Sequence, residues 1–106
     1  MSEVFDLPEL LAANAGGRSY REFLRVPAMS AGIYRLAAGA NDLQKPHAED
    51  ETYYVVRGKA KVRLGNEERP ITSGSVIFVE AGLEHRFVDI EEELCLLVIF
   101  APAETS

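Results

Sequence analysis

The chain has 106 residues, which is the length of one ordinary domain and too short for two independent cores. Hydrophobic residues make up 47% and charged residues 26%, a globular composition that excludes intrinsic disorder. The formal net charge is −6, with no basic cluster, so nucleic acid is not expected as a partner. We therefore expect residues 1–106 to form a single folded domain.

A short helix is predicted first, over residues 7–15. Asp6 is a suitable N-cap, Pro8 falls in the first turn, and Gly16 and Gly17 follow the end of the segment. No later stretch keeps a period of 3.6 residues for three turns, so the rest of the chain is not expected to be helical.

Short strands separated by turn formers are predicted after the helix. Their close spacing leaves no room for crossover helices, which favours an antiparallel sandwich or barrel. Turns are expected between the strands, including one at residues 57–58 and one at residues 91–93. The predicted strands are 19–26, 30–37, 53–56, 59–64, 76–79, 86–90 and 94–101.

The chain is predicted to be cytoplasmic and to have no membrane partner. No apolar run approaches the ~18 residues that span a bilayer, and the first residues lack the basic and apolar segments of a signal peptide. The single cysteine, Cys95, cannot form an internal disulfide and lies in an apolar run. We expect it to be a buried core residue.

The two histidines of the chain, His47 and His85, each lie in a polar turn before a predicted strand. On a straight strand, His47 and Glu51 would be about 13 Å apart, too far to share an ion. A turn at residues 48–50 would place them on facing strands only about 5 Å apart. Two imidazoles and one carboxylate at the mouth of a small barrel suit Zn, Fe, Mn, Ni or Cu. The alternative is that each histidine is a solvated surface residue.

Residues 39–89 resemble the two sequence motifs of the cupin family. The first motif, at residues 39–58, matches with Gly39, Lys45 in place of the first histidine, His47, Glu51 and Gly58. The second motif, at residues 74–89, matches with Gly74, Glu80 in place of proline, Gly82, His85 and Asp89 in place of asparagine. The resemblance implies a double-stranded β-helix, or jelly-roll, barrel of two antiparallel sheets. It also implies one divalent transition metal bound by His47, Glu51 and His85.

Lys45 departs from this ligand set, because a protonated lysine has no lone pair with which to bind a metal. Its side chain would swing out to the carboxylates at positions 49 and 50, become neutral, or pair with Glu51 and replace the metal. Gln44, one residue earlier, offers a carbonyl oxygen as a fourth ligand if the chain bulges there.

Strand alternation predicts further side chains inside the barrel, including Val55. Tyr53 and Phe87 would either pack in the core or contact a ligand. Asp89 would either hydrogen-bond a ligating histidine or serve only as a turn residue. Strand 30–37 has two possible inward pairs, which are Ile33 with Arg35 or Tyr34 with Leu36.

The resemblance implies a metal-binding protein that acts on or binds a small molecule inside the barrel. One alternative is a metal-dependent enzyme of the dioxygenase, isomerase or lyase type. A second alternative is a non-catalytic small-molecule or sugar-binding sensor.

A two-fold symmetric homodimer is also predicted. Residues 94–100 are apolar throughout, so both faces of that strand require cover. Strand 19–26 has no obvious sequence neighbour with which to pair. The expected interface therefore contains apolar residues of these two strands.

Overall fold

The computed structural model describes residues 2–13 and 19–105. All strand pairs are antiparallel, in the order β1-β2-β6-β3-β4, and β5 also pairs with β3. The predicted all-β jelly-roll barrel with a short N-terminal helix is therefore confirmed. The elements within the described residues are α1 (Leu7–Ala13), β1 (Tyr20–Val26), β2 (Met29–Leu36), β3 (Asp50–Leu64), β4 (Glu67–Thr72), β5 (Val76–Val79) and β6 (His85–Ala101).

Several predicted boundaries differ from the structure. Residues 14–15 of the predicted helix and its glycine stop at residues 16–17 lie outside the described residues. Strand β4 was not predicted, because its sequence is largely charged and only Ile71 is buried. The turns predicted at residues 57–58 and 91–93 are wrong, because β3 and β6 run through them.

Strands β3 and β6 continue through these positions by forming bulges. Their register shifts between residues 55 and 61, and Gly58 has a φ of +115°. A Cβ at Gly58 would collide with the Glu93 backbone, so the close approach of the strands requires glycine there. Arg57 Nη2 lies 3.5 Å from Glu93 Oε1, and Lys59 Nζ lies 3.9 Å from Glu91 Oε2. Charged residues of the predicted turns therefore face opposite charges on the neighbouring strand.

The β3–β6 ladder is curled so strongly that its two ends meet. Glu51 pairs with Phe100 near one end, and Leu64 pairs with His85 at the other. A straight ladder between these pairs would extend about 43 Å, yet the longest dimension of the molecule is 39 Å. Curling brings Glu51 Oε1 within 3.0 Å of His85 Nε2. The barrel thus places motif residues from opposite ends of one ladder side by side.

The barrel interior contains the predicted alternating residues. Tyr53, Val55 and Phe87 are buried in one apolar cluster. On β2, Leu36 packs within this cluster and Tyr34 against it, so the inward pair is Tyr34 and Leu36.

Helix α1 covers the outer face of the barrel. Leu11 packs with Ile33 and Cys95, and Leu97 lies against the same cluster. Cys95 is free and buried, as predicted. Within residues 2–13 and 19–105, no helix combines the length and apolar character needed to cross a membrane.

Two surfaces invoked for the dimer have partners within the chain. Strand β1 pairs along its length with β2, so the expectation that it lacks a neighbour is wrong. The outer face of residues 94–100 lies partly under α1. The homodimer itself stays a prediction.

Candidate metal centre

Three predicted ligand residues converge at one end of the barrel. Potential ligand atoms of His47, Glu51 and His85 all lie within 4.8 Å of one another. Glu51 and His85 are buried, whereas His47 is half-buried beside the cavity. The interpretation of both histidines as solvated surface residues is therefore wrong. Their identity as metal ligands stays a prediction.

The two histidine-bearing loops are tied to each other through the backbone. The Gly82 amide donates to the His47 carbonyl oxygen at 2.7 Å. The Ala81 amide donates to Asp50 Oδ1 at 2.9 Å. The loop that precedes His85 thus fixes the chain between His47 and Glu51, although these segments are far apart in sequence.

The ring of His85 is oriented with Nε2 towards the other candidate ligands. Its Nδ1 lies 2.9 Å from the Leu83 carbonyl oxygen, which can only accept, so Nδ1 carries a proton. Burial lowers the pKa of His85, but the Glu51 carboxylate and the Leu83 carbonyl outweigh burial, so the pKa is raised. In the neutral ring, the Nε2 lone pair is available for a metal ion.

Three oxygen atoms surround His85 Nε2. They belong to Glu51 Oε1 at 3.0 Å, Gln44 Oε1 at 3.2 Å and the Tyr53 hydroxyl at 3.3 Å. Despite its proximity to Nε2, Glu51 Oε1 is buried without a hydrogen-bond partner of suitable geometry among the described residues. A buried carboxylate oxygen without a partner is costly unless a cation binds it. This donor set therefore fits a divalent transition metal.

Gln44 reaches the centre without the predicted bulge, because residues 40–47 form no strand. Its Nε2 donates to Asp42 Oδ2 at 2.6 Å, which leaves its Oε1 to accept from the Tyr53 hydroxyl at 3.0 Å. A ligand role for Gln44 stays a prediction.

Asp42, which holds Gln44, was missed by the sequence reasoning. It is buried, and it accepts hydrogen bonds from the Tyr34 hydroxyl at 2.7 Å and the Phe87 amide at 2.8 Å. Burial and then the bond to Asp42 raise the pKa of Tyr34. Asp42 thus fixes the loop before His47, and nothing in its local sequence indicated this role.

Lys45 is exposed, and Glu51 is near His85. The alternative in which Lys45 replaces the metal by pairing with Glu51 therefore has no support in this geometry. Asp89 points to the surface, 3.5 Å from Lys61, with a φ of +48°. It is not a partner of either histidine, because the bulge in β6 interrupts the alternation that starts at His85.

A cavity of about 140 Å³ adjoins these residues. Tyr53 faces it, whereas Phe87 lies only in the core. Four lining residues were missed by the sequence reasoning. Tyr20, Val98 and Phe100 belong to the strands that were expected in a dimer interface. The fourth is Glu104, whose Oε2 lies 3.3 Å from His47 Nδ1. The full lining is Tyr20, Tyr34, Gln44, His47, Glu51, Tyr53, Val98, Phe100 and Glu104.

Comparison with known proteins identifies the family. The cupin domain model matches residues 32–100. An uncharacterized protein of Streptomyces coelicolor is 46% identical over 104 residues, which cover 97% of this chain and 99% of that protein.

Two solved structures are similar over nearly the whole chain. The Thermus thermophilus protein TT1209 is 28% identical with a TM-score of 0.73, covering 96% of this chain and 99% of that one. A cupin-2 domain protein of Shewanella frigidimarina is 16% identical with a TM-score of 0.75, covering 92% and 94%. The chain therefore belongs to the cupin family.

Proposed function

We propose that this protein binds one divalent transition metal and holds a small molecule beside it in the barrel. His47, Glu51 and His85 provide the ligands, and the Gln44 amide oxygen is the fourth. The observation that carries this proposal is Glu51 Oε1, which is buried next to His85 Nε2 without a hydrogen-bond partner of suitable geometry among the described residues. A bound cation would satisfy this oxygen, the neutral imidazoles and the amide oxygen together.

The test is metal stoichiometry, measured by elemental analysis and by titration of metal-free protein with Zn²⁺ or Co²⁺. We expect about one ion per chain, and the visible absorption of Co²⁺ reports its coordination directly. Glu51→Gln and His85→Ala should each abolish tight binding. Asp89→Asn is the matched control, because it makes the same kind of change at an exposed carboxylate.

Circular dichroism and urea unfolding establish that each variant is folded. Unchanged metal content in folded Glu51→Gln and His85→Ala proteins would refute the assignment. Lys45→Ala should leave affinity within about twofold, because the Lys45 side chain is exposed.

A metal-dependent enzyme is the second candidate function. The cavity beside the four candidate ligands offers room for a substrate to reach the ion. The metal present in protein purified without added metal distinguishes the two. Redox-active iron, manganese or copper would favour oxygen chemistry, whereas zinc or nickel would favour a non-redox role.

We also propose a homodimer, with a changed interface. Tyr54, Val76 and Phe78 are exposed at 40%, 68% and 61%, and they lie next to one another because Tyr54 pairs with Val76 across β3 and β5. This apolar patch is a better candidate interface than β1. Sedimentation should give about twice the 11.7 kDa chain mass, and Phe78→Glu should reduce it to one chain. The cytoplasmic location is likewise a proposal.

A further inference from the structure

Glu104 lines the cavity, and it belongs to residues 103–105, which are called the strap below. Each strap residue bonds to a different part of the fold, so the segment has a defined position next to the metal centre. These bonds are Ala103 N to Pro27 O at 3.4 Å, Glu104 N to Ser30 Oγ at 2.9 Å, Arg25 Nη2 to Glu104 O at 2.7 Å, and Thr105 N and Oγ1 to Glu49 Oε2 at 3.0 and 2.6 Å.

The strap places the Glu104 carboxylate inside the cavity. The Glu104 side chain is 20% exposed, and its Oε2 lies 3.3 Å from His47 Nδ1. A hydrogen bond from Nδ1–H to Oε2 would leave the lone pair of His47 on Nε2. The other carboxylate oxygen of Glu104 has no hydrogen bond to the described residues and is free to accept one from a ligand.

Tyr20 adds a hydroxyl to the same cavity. Its ring lies against Gly32, where any Cβ would collide with it, so the absence of a side chain at Gly32 makes room for the ring. The hydroxyl oxygen is buried and has no hydrogen-bond partner among the described residues. Burial and the nearby Glu104 carboxylate raise the pKa of Tyr20, so the hydroxyl keeps its proton.

No Lys or Arg is among the described residues that line the cavity. Arg25 is bonded to Glu22 and to the backbone carbonyl of Glu104, outside the lining. The carboxylates of Glu51 and Glu104 would balance the double charge of a bound divalent ion. A bound anion would therefore meet the Glu104 carboxylate without a compensating cationic side chain.

We propose that Tyr20 and Glu104 form a recognition subsite that selects a small uncharged or cationic ligand with a hydroxyl or amino group, and disfavours carboxylates. Glu104 accepts a hydrogen bond from the ligand's hydroxyl or ammonium group, and Tyr20 donates one to a ligand oxygen. This assignment rests on the proposed function, because it concerns the molecule held beside the metal.

The test compares two probes of similar size, 1-amino-2-propanol and lactate, by NMR titration of the isotope-labelled, zinc-loaded protein. The ratio of the two affinities is compared between variants, because both probes can bind zinc through their hydroxyl group and the ratio removes that shared effect. Glu104→Gln should shift the ratio towards lactate by about tenfold. Tyr20→Phe should weaken 1-amino-2-propanol about fivefold.

Glu92→Gln is the matched control, because it removes the same charge from an exposed residue that lies outside the cavity and is not bonded to Arg25. It should change the ratio by less than about twofold. An unchanged ratio in Glu104→Gln, or unchanged binding in Tyr20→Phe, would overturn the subsite while zinc still binds. Failure of the wild-type protein to bind zinc would instead refute the proposed metal centre, so the two failures are distinguishable.

Discussion

Replacing Asp42 with alanine should reduce both folding stability and metal affinity. The buried Asp42 carboxylate accepts hydrogen bonds from the Tyr34 hydroxyl, the Phe87 amide, and both the side chain and the backbone amide of Gln44. Asp42→Ala removes all four acceptor contacts, and the donors remain in a partly or fully buried environment. The proposed metal ligands His47, Glu51 and His85 are not altered by this change.

The expected loss follows from the donor that water cannot readily reach. Leaving a buried donor without a partner costs about 1–3 kcal/mol. The Phe87 amide alone therefore predicts a loss of about 1–3 kcal/mol in the free energy of unfolding. The Tyr34 hydroxyl and the Gln44 amide are only partly buried and line the cavity, so they are expected to regain water. A domain of this size has about 5–15 kcal/mol in total, so the loss is easily measured.

Urea unfolding of the metal-free protein measures this loss, with Asp42→Asn as the comparison. Asparagine keeps one carboxamide oxygen as an acceptor, so its cost should be smaller. Zinc titration then gives the second result, which is a loss of about 10–100-fold in affinity because the Gln44 oxygen is no longer held. A stability loss below about 1 kcal/mol in Asp42→Ala would refute this account of the buried carboxylate.

Three further outcomes follow from the geometry. The pKa of His85 is raised, so protons should compete for its Nε2 at a higher pH than they would for a histidine with the ordinary pKa of about 6.5. A titration of zinc release against pH measures this shift. Gly58→Ala should lower the free energy of unfolding by more than about 1 kcal/mol, because Gly58 has a positive φ and a Cβ there would meet the Glu93 backbone. An unchanged urea midpoint would contradict this expectation. Burial raises the pKa of Glu49, but hydrogen bonds from Thr105 outweigh burial, so the pKa is lowered. The wild-type protein should therefore be more stable than Glu49→Gln above about pH 4.3, and this difference should decline as the pH falls further, as thermal unfolding at several pH values would show.

The sequence was sufficient to predict the part of the site that depends on rare residues. Only two histidines occur, and both stand in turns before strands, so the sequence alone was enough to group His47, Glu51 and His85. The inward positions Tyr53 and Val55 followed from simple alternation and are buried.

The residues that sequence reasoning missed reach the site through long-range contacts. Glu104 lies far along the chain from His47, and Asp42 bonds to the distant amide of Phe87. Alternation failed at Asp89 because a bulge adds residues to β6 there. Such bulges depend on how the curled strands approach each other, which local sequence does not specify.

The two ends of the β3–β6 ladder meet at the proposed metal centre, which would link metal exchange to opening of the barrel. If the sheet uncurls at its bulges, Glu51 and His85 separate, and the coordination sphere is lost before the ladder itself breaks. A metal ion would therefore stabilise only the closed form, by about 2.7 kcal/mol at a hundredfold excess over its dissociation constant. The rate at which a chelator removes the ion should then approach the opening rate of the barrel and become independent of chelator concentration. The rate of metal release would therefore report the rate of barrel opening, a motion that leaves most backbone hydrogen bonds intact.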